Sequence, residues 1–141
     1  IRALRAVGCR TAVVSGGFRQ TVAPMAAELG IDFVEANSLE VVDGRLTGGL
    51  TGAIVDGQRK LAFFHELIAQ LGLSPSRTVA VGDGANDVPM LEAAGLGVAF
   101  CAKPRVRERA PVTVDLPRLD AVAHHLGWSE DDLADLGGAE A

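Results

Sequence analysis

Val79-Ala80-Val81-Gly82-Asp83-Gly84-Ala85-Asn86-Asp87-Val88-Pro89-Met90-Leu91 is the stretch whose reading decides the fold. An apolar run rich in Val, cut off by Gly-Asp-Gly and followed by helix-spaced apolar residues, predicts a buried strand, a tight turn and a helix. Asp83 then stands at the carboxyl end of a strand, where open α/β sheets bind ligands. The flanking glycines let the backbone turn sharply and approach a ligand, and Asn86 and Asp87 follow near the helix start. Two carboxylates and an amide converge on one small polar space. For an isolated Gly-Asp-Gly the plain reading is a loop in which Asp83 and Asn86 satisfy the turn and Asp87 faces the helix dipole. The whole string favours a ligand site instead. It does not fit a dinucleotide fingerprint, because the third glycine is missing and two acids stand where a pyrophosphate would sit. Carboxylates at an open turn suit a hard cation such as Mg²⁺, which keeps several waters and needs few protein ligands.

Outward from this stretch, strand, loop and helix recur in order. Ile1 to Gly8 reads as the end of a helix closed by glycine, and Cys9 to Val14 as a short strand. Ser15-Gly16-Gly17-Phe18 then forms a turn into a helix with Phe18, Val22, Met25 and Leu29 on one face, which Pro24 is expected to start or kink. Such a turn can hold a phosphate oxygen with Ser15 Oγ and an amide N–H, or be a simple glycine-rich connection, and on the residues alone both readings stay open. Ile31 to Glu35 is a further strand, and Glu40 to Gly48 carries the Asp43-Gly44 signal of a tight hairpin. Asp56-Gly57 leads into a helix with Leu61, Phe64, Leu67, Ile68 and Leu71 on its apolar side. Lys60 lies in its first turn, where the helix dipole disfavours positive charge. A conflict of that kind is expected of a residue kept for a ligand, whose removal costs more in catalysis than in stability; an exposed, solvated lysine is the plain alternative.

After the Asp83 loop come a helix through Ala94, a strand Leu96 to Phe100, a short basic helix from Pro104, an edge strand Val112 to Val114 and a helix Leu119 to Leu126. His124 and His125 are neighbours, not at ligand spacing, and read as surface or packing residues. The alternation predicts an α/β fold with a parallel sheet and helices on both faces. Residues 1–128 are expected to form the core, and 129–141 an acidic tail that frays.

A chain of 141 residues is one domain's worth, long enough for a single core. No apolar run approaches the length that spans a bilayer, and no secretory signal is visible, so no membrane partner is expected. The net charge of −5, with no basic cluster beyond Lys103 to Arg109, argues against nucleic acid. Cys9 and Cys101 lack metal spacing and read as reduced packing residues of a cytosolic protein. The first residue is Ile, so the chain is expected to be a piece of a longer polypeptide.

Ser15-Gly16-Gly17-Phe18, then Lys60, then Gly82-Asp83-Gly84-Ala85-Asn86-Asp87 form an ordered set of motifs that resembles the haloacid dehalogenase superfamily of phosphotransferases. Glu35 to Gly48 and Ala93 to Pro104 are similar to the corresponding stretches of bacterial phosphoserine phosphatases. The resemblance covers residues 1 to 128. It implies a three-layer αβα, Rossmann-like sheet, here incomplete and lacking its first, central strand. It makes Ser15 and the Gly16 amide phosphate ligands, Lys60 the cation that balances nucleophile and phosphate, and Asp83 a magnesium ligand. Asn86 would touch the phosphate, and Asp87 would hold metal-bound water or orient Lys60.

The implied activity is Mg²⁺-dependent hydrolysis of O-phosphoserine through an aspartyl-phosphate, the last step of serine biosynthesis, in the cytoplasm. The implied partner is that small phosphorylated substrate, with homo-oligomers formed through parts outside this chain. In the family the nucleophile lies in an Asp-x-Asp-x-Thr motif, which this sequence does not contain. The nucleophile, the first metal-binding acid and the cap that selects serine are therefore expected elsewhere, and residues 1–141 alone are expected to be inactive. Two other readings remain: a phosphatase of the same superfamily for another small ester, and a non-catalytic phosphate- or metal-binding remnant.

Overall fold

The computed structural model describes residues 1–138, which divide into two compact units, residues 56–128 and the segments on either side of them. In the first unit, α1 (Arg2–Ala6) leads into β1 (Ala12–Phe18), α2 (Arg19–Leu29), β2 (Phe33–Val42) and β3 (Arg45–Thr51). β1 pairs with β2 in parallel from Ala12↔Phe33 to Ser15↔Ala36; the register then jumps to Phe18↔Asn37, so Gly16 and Gly17 form a two-residue excursion. Ser15 to Phe18, expected as a turn, thus lies within the strand as an irregularity of it. α2 packs on both strands. It begins at Arg19, so Pro24 lies inside it rather than at its start. The ring removes one helix N–H donor, which the helix tolerates where packing holds it. The Gln20 amide helps by bonding both the N–H and the carbonyl of Leu39 at 3.3 Å each.

The expected strand 31–35 and the hairpin fuse into one long β2, parallel to β1 at its start and antiparallel to β3 at its end. The turn is the Asp43-Gly44 pair, with φ of 51° and 75°. Positive φ at both central residues matches the twist of the strands, and glycine takes the second position without penalty. Of the expected tail 129–141, Glu130–Gly138 forms α7, and residues 139–141 lie outside the described residues. Its start carries a reciprocal cap: Asp132 N–H donates to Ser129 Oγ at 3.1 Å, and Ser129 N–H donates to Asp132 Oδ2 at 2.8 Å. Three acids in the first turn face the positive end of the dipole, and the helix packs on α1.

The second unit runs α3 (Gly57–Gln70), a 3₁₀ turn (Pro75–Arg77), β4 (Val79–Gly82), α4 (Val88–Ala93), β5 (Leu96–Phe100), α5 (Pro104–Arg107), β6 (Val112–Val114) and α6 (Ala121–His124). Its strands form a parallel sheet in the order β4-β5-β6. Val98, Val114 and Val122 pack together as its core, with Val81, Leu96, Phe100 and Val112 against them. α4 packs on β4, β5 and α3. The molecule is therefore a mixed α/β fold with parallel sheets. No helix among the described residues is long and apolar enough to cross a membrane.

Candidate active site

The string that decides the fold also builds a turn tied together by one carboxylate. β4 ends at Gly82, and the chain reverses through Asp83, Gly84, Ala85 and Asn86 into α4. Asp87, at the head of α4, turns its carboxylate back under the loop. Its Oδ2 accepts the backbone N–H groups of Asp83 at 3.1 Å and Gly84 at 3.0 Å, and its own N–H donates to the Gly84 carbonyl at 2.9 Å. Glycine at 82 is a packing requirement, since a Cβ there would lie 2.5 Å from the Asp87 Cβ.

Oδ1 of Asp87 receives Lys60 Nζ at 2.6 Å. Lys60 is the fourth residue of α3, whose start is fixed by Asp56, with Oδ1 accepting the Arg59 N–H at 2.8 Å. Lys60 and Asp87 are 7% and 6% exposed. Lys60 is therefore not the solvated surface lysine that would contribute little to folding. Removing either partner strands a charge in a dry site, which typically costs about 3–5 kcal/mol. The dipole conflict at the start of α3 is offset by this carboxylate.

Asp83 is exposed, and its carboxylate accepts no hydrogen bond from the described residues. Its backbone is held, with the carbonyl accepting Lys103 N–H at 3.3 Å. It lines an open crevice of about 400 Å³ at the carboxyl ends of β4 and β5, together with Val81, Gly82, Phe100 and Cys101. Asn86 is exposed beside it in the turn. The donor set fits a hard divalent cation through the free Asp83 carboxylate, with water and substrate oxygens completing the shell. Both Asp87 oxygens accept hydrogen bonds, Oδ1 from Lys60 and Oδ2 from the turn, so Asp87 orients Lys60 and keeps an acceptor site on Oδ1. Among the described residues no cluster of three or more His, Cys, Asp or Glu side chains occurs.

Ser15 and Gly16 belong to the other unit. There Ser15 Oγ accepts the Gly17 N–H at 3.0 Å, and no acceptor for its own proton occurs among the described residues. The Gly16 carbonyl accepts Asn37 Nδ2 at 2.8 Å. Thus Lys60 reaches from α3 to Asp87 at the turn that also carries Asp83 and Asn86, while Ser15 and Gly16 lie in β1 of the other unit, Gly16 in its two-residue excursion.

Two features escaped the sequence reading. Asn37 is buried and bonded at both ends, and in a strand that also carries Glu35, Ser38 and Glu40 nothing in the sequence set it apart. Cys9 and Cys101, read as packing residues, are both free and exposed, and Cys101 stands in the crevice with φ of 45°.

The sequence is similar along nearly its whole length to known phosphoserine phosphatases. It is 51% identical over 94% of its length to one from Streptomyces coelicolor and 50% identical over 97% to one from Mycobacterium tuberculosis. A third, from Streptococcus thermophilus, is 51% identical over 82%. The chain spans 32%, 34% and 54% of those relatives' own lengths. Among solved structures, a probable phosphoserine phosphatase from Vibrio cholerae in unliganded form superposes with a TM-score of 0.85 at 39% identity, over 94% of this chain and 41% of that one. A phospho-aspartyl intermediate analogue of phosphoserine phosphatase gives 0.81 at 39%, over 86% and 58%. The haloacid dehalogenase-like hydrolase model matches residues 1–92, a stretch that contains every residue of the Asp83 turn as well as Ser15, Gly16 and Lys60. With motif order, fold and family match in agreement, this chain belongs to the haloacid dehalogenase-like hydrolases.

Proposed function

We propose that the protein to which residues 1–141 belong is a Mg²⁺-dependent phosphoserine phosphatase, releasing serine and phosphate from O-phosphoserine in the last step of serine biosynthesis in the cytoplasm. The observation that carries this reading is the 50–51% identity, over nearly the whole chain, with relatives of that name. The geometry supports it. Lys60 is held rigidly by Asp87, so its ammonium is preorganised to face the charge of a transferring phosphoryl group instead of having to be ordered during reaction. The Asp87 carboxylate balances Lys60, however, and leaves Asp83 as an uncompensated carboxylate beside an incoming dianion. Phosphate binding at this turn thus calls for a further cation at Asp83. When bound there, Mg²⁺ supplies that charge and polarises a phosphoryl oxygen.

Asn86 donates its amide to a phosphate oxygen, and Ser15 donates its free hydroxyl proton together with the Gly16 N–H. The nucleophile is an aspartate from outside residues 1–141, since Asp-x-Asp-x-Thr is absent from them. The partner is a small phosphorylated molecule, neither nucleic acid nor membrane, and any homo-oligomer forms through parts beyond these residues. The test is phosphate release by the full polypeptide from O-phospho-L-serine and from a panel of sugar phosphates, with and without chelator. Release from phosphoserine that chelator abolishes and Mg²⁺ restores is expected, with none from residues 1–141 alone. Turnover of sugar phosphates only would overturn the substrate.

A further inference from the structure

Asn37 in β2 is 7% exposed, and both ends of its amide are used. Its Oδ1 accepts the Val55 N–H at 2.8 Å, 18 residues later, and its Nδ2 donates to the Gly16 carbonyl at 2.8 Å, 21 residues earlier. The partners fix which end is oxygen, because an N–H must meet an acceptor and a carbonyl a donor. Aspartate could accept from Val55 but not donate to Gly16, and leucine could do neither.

The Gly16 carbonyl belongs to the same peptide unit as the Gly17 N–H, and in a trans peptide these two groups point in opposite directions. Asn37 pulls on the carbonyl, and the N–H at the other end donates to Ser15 Oγ at 3.0 Å. The three groups form one chain of hydrogen bonds in which each donor polarises the next. With an acceptor site of Ser15 Oγ filled by Gly17, its hydroxyl proton is directed to whatever lies in front of the excursion.

We propose that Asn37 is the positioning residue of the phosphate cradle, setting the Gly16–Gly17 peptide and through it the direction in which Ser15 donates. The inference rests on the reading of Ser15 and Gly16 as phosphate ligands. Asn37 itself touches no substrate.

The test compares Asn37→Asp, Ser15→Ala and, as a control for plain destabilisation, Val122→Ala in the other unit's core, all in the full polypeptide. KM for O-phosphoserine and the inhibition constant of inorganic phosphate should rise together in Asn37→Asp, by about tenfold or more, while kcat falls less. Lowering the pH should narrow the KM ratio of Asn37→Asp to the parent, because the protonated acid regains a donor for the Gly16 carbonyl. Val122→Ala should lower Tm without moving KM. If Asn37→Asp does not fold, Asn37→Ser, which gives up the reach to Gly16 without adding charge, gives the same readout. A raised KM in Ser15→Ala with an unmoved KM in the Asn37 variant would overturn the proposal alone. Unmoved KM in both would overturn the cradle and this inference with it.

Discussion

Lys60 and Asp87 show how one contact changes the meaning of a residue. A lysine in the first turn of a helix opposes the dipole, and taken from the sequence it reads as a ligand-facing group of little structural worth. Paired at 2.6 Å and almost fully buried, it is structural as well, because Asp87 also carries two N–H groups of the Asp83 turn. Lys60→Ala should lower stability by about 3–5 kcal/mol, since it strands the Asp87 charge. Lys60→Met with Asp87→Asn should lose less than the two single changes added together. Urea unfolding of the four proteins reads this directly, and strictly additive losses would show that the two side chains do not depend on each other.

At the scale of elements, the starts of β1 and β2 are joined by Asp32, which the sequence reading passed over. The Thr11 backbone N–H donates to its carboxylate at 2.7 Å, the Thr11 hydroxyl does so at 3.1 Å, and Arg10 pairs with it at 3.0 Å. The Thr11 amide above all, then its hydroxyl and the Arg10 charge, outweigh burial and hold the carboxyl below the usual carboxylate range. A carboxyl lowered in the folded state stabilises above its ordinary pKa, and that stability is lost as pH falls through the folded value. Asp32→Asn should therefore lower Tm at pH 7, and the difference from the parent should fade in acid. A gap in Tm that stayed constant down to pH 2 would assign the effect to packing.

The hairpin was legible because Asp43-Gly44 demands positive φ at both positions. The helix at Glu130 was not, because Ser129 and Asp132 signal a start only as a reciprocal pair, within a stretch whose Gly and Ala content points to fraying. The continuity of β2 between its strand and its hairpin runs through Asn37, whose two backbone partners, Gly16 and Val55, lie far along the chain and leave no local signal.

For the whole molecule, local order carried most of the reading. β4, its turn and α4 follow from apolar pattern and glycine placement within about a dozen residues, so the parallel sheet and the place of Asp83, Asn86 and Asp87 on one strand-to-helix turn could be read directly. What stayed hidden needed partners far along the chain: the burial of Lys60 by a residue 27 positions away, the lock between Asn37 and Gly16, and the exposure of Cys101 at the crevice. The central claim is that the Asp83 turn is where the chemistry happens. Its most direct test is the Mg²⁺ dependence of phosphoserine turnover in the full polypeptide carrying Asp83→Asn, beside Asp43→Asn in the hairpin turn. Losing the one free carboxylate of the crevice should cut kcat by about a hundredfold or more and raise the Mg²⁺ needed for half-activity. Asp43→Asn should leave both within about twofold, as expected of a surface position away from the site. Equal losses in the two variants, or an unchanged Mg²⁺ requirement in Asp83→Asn, would contradict it.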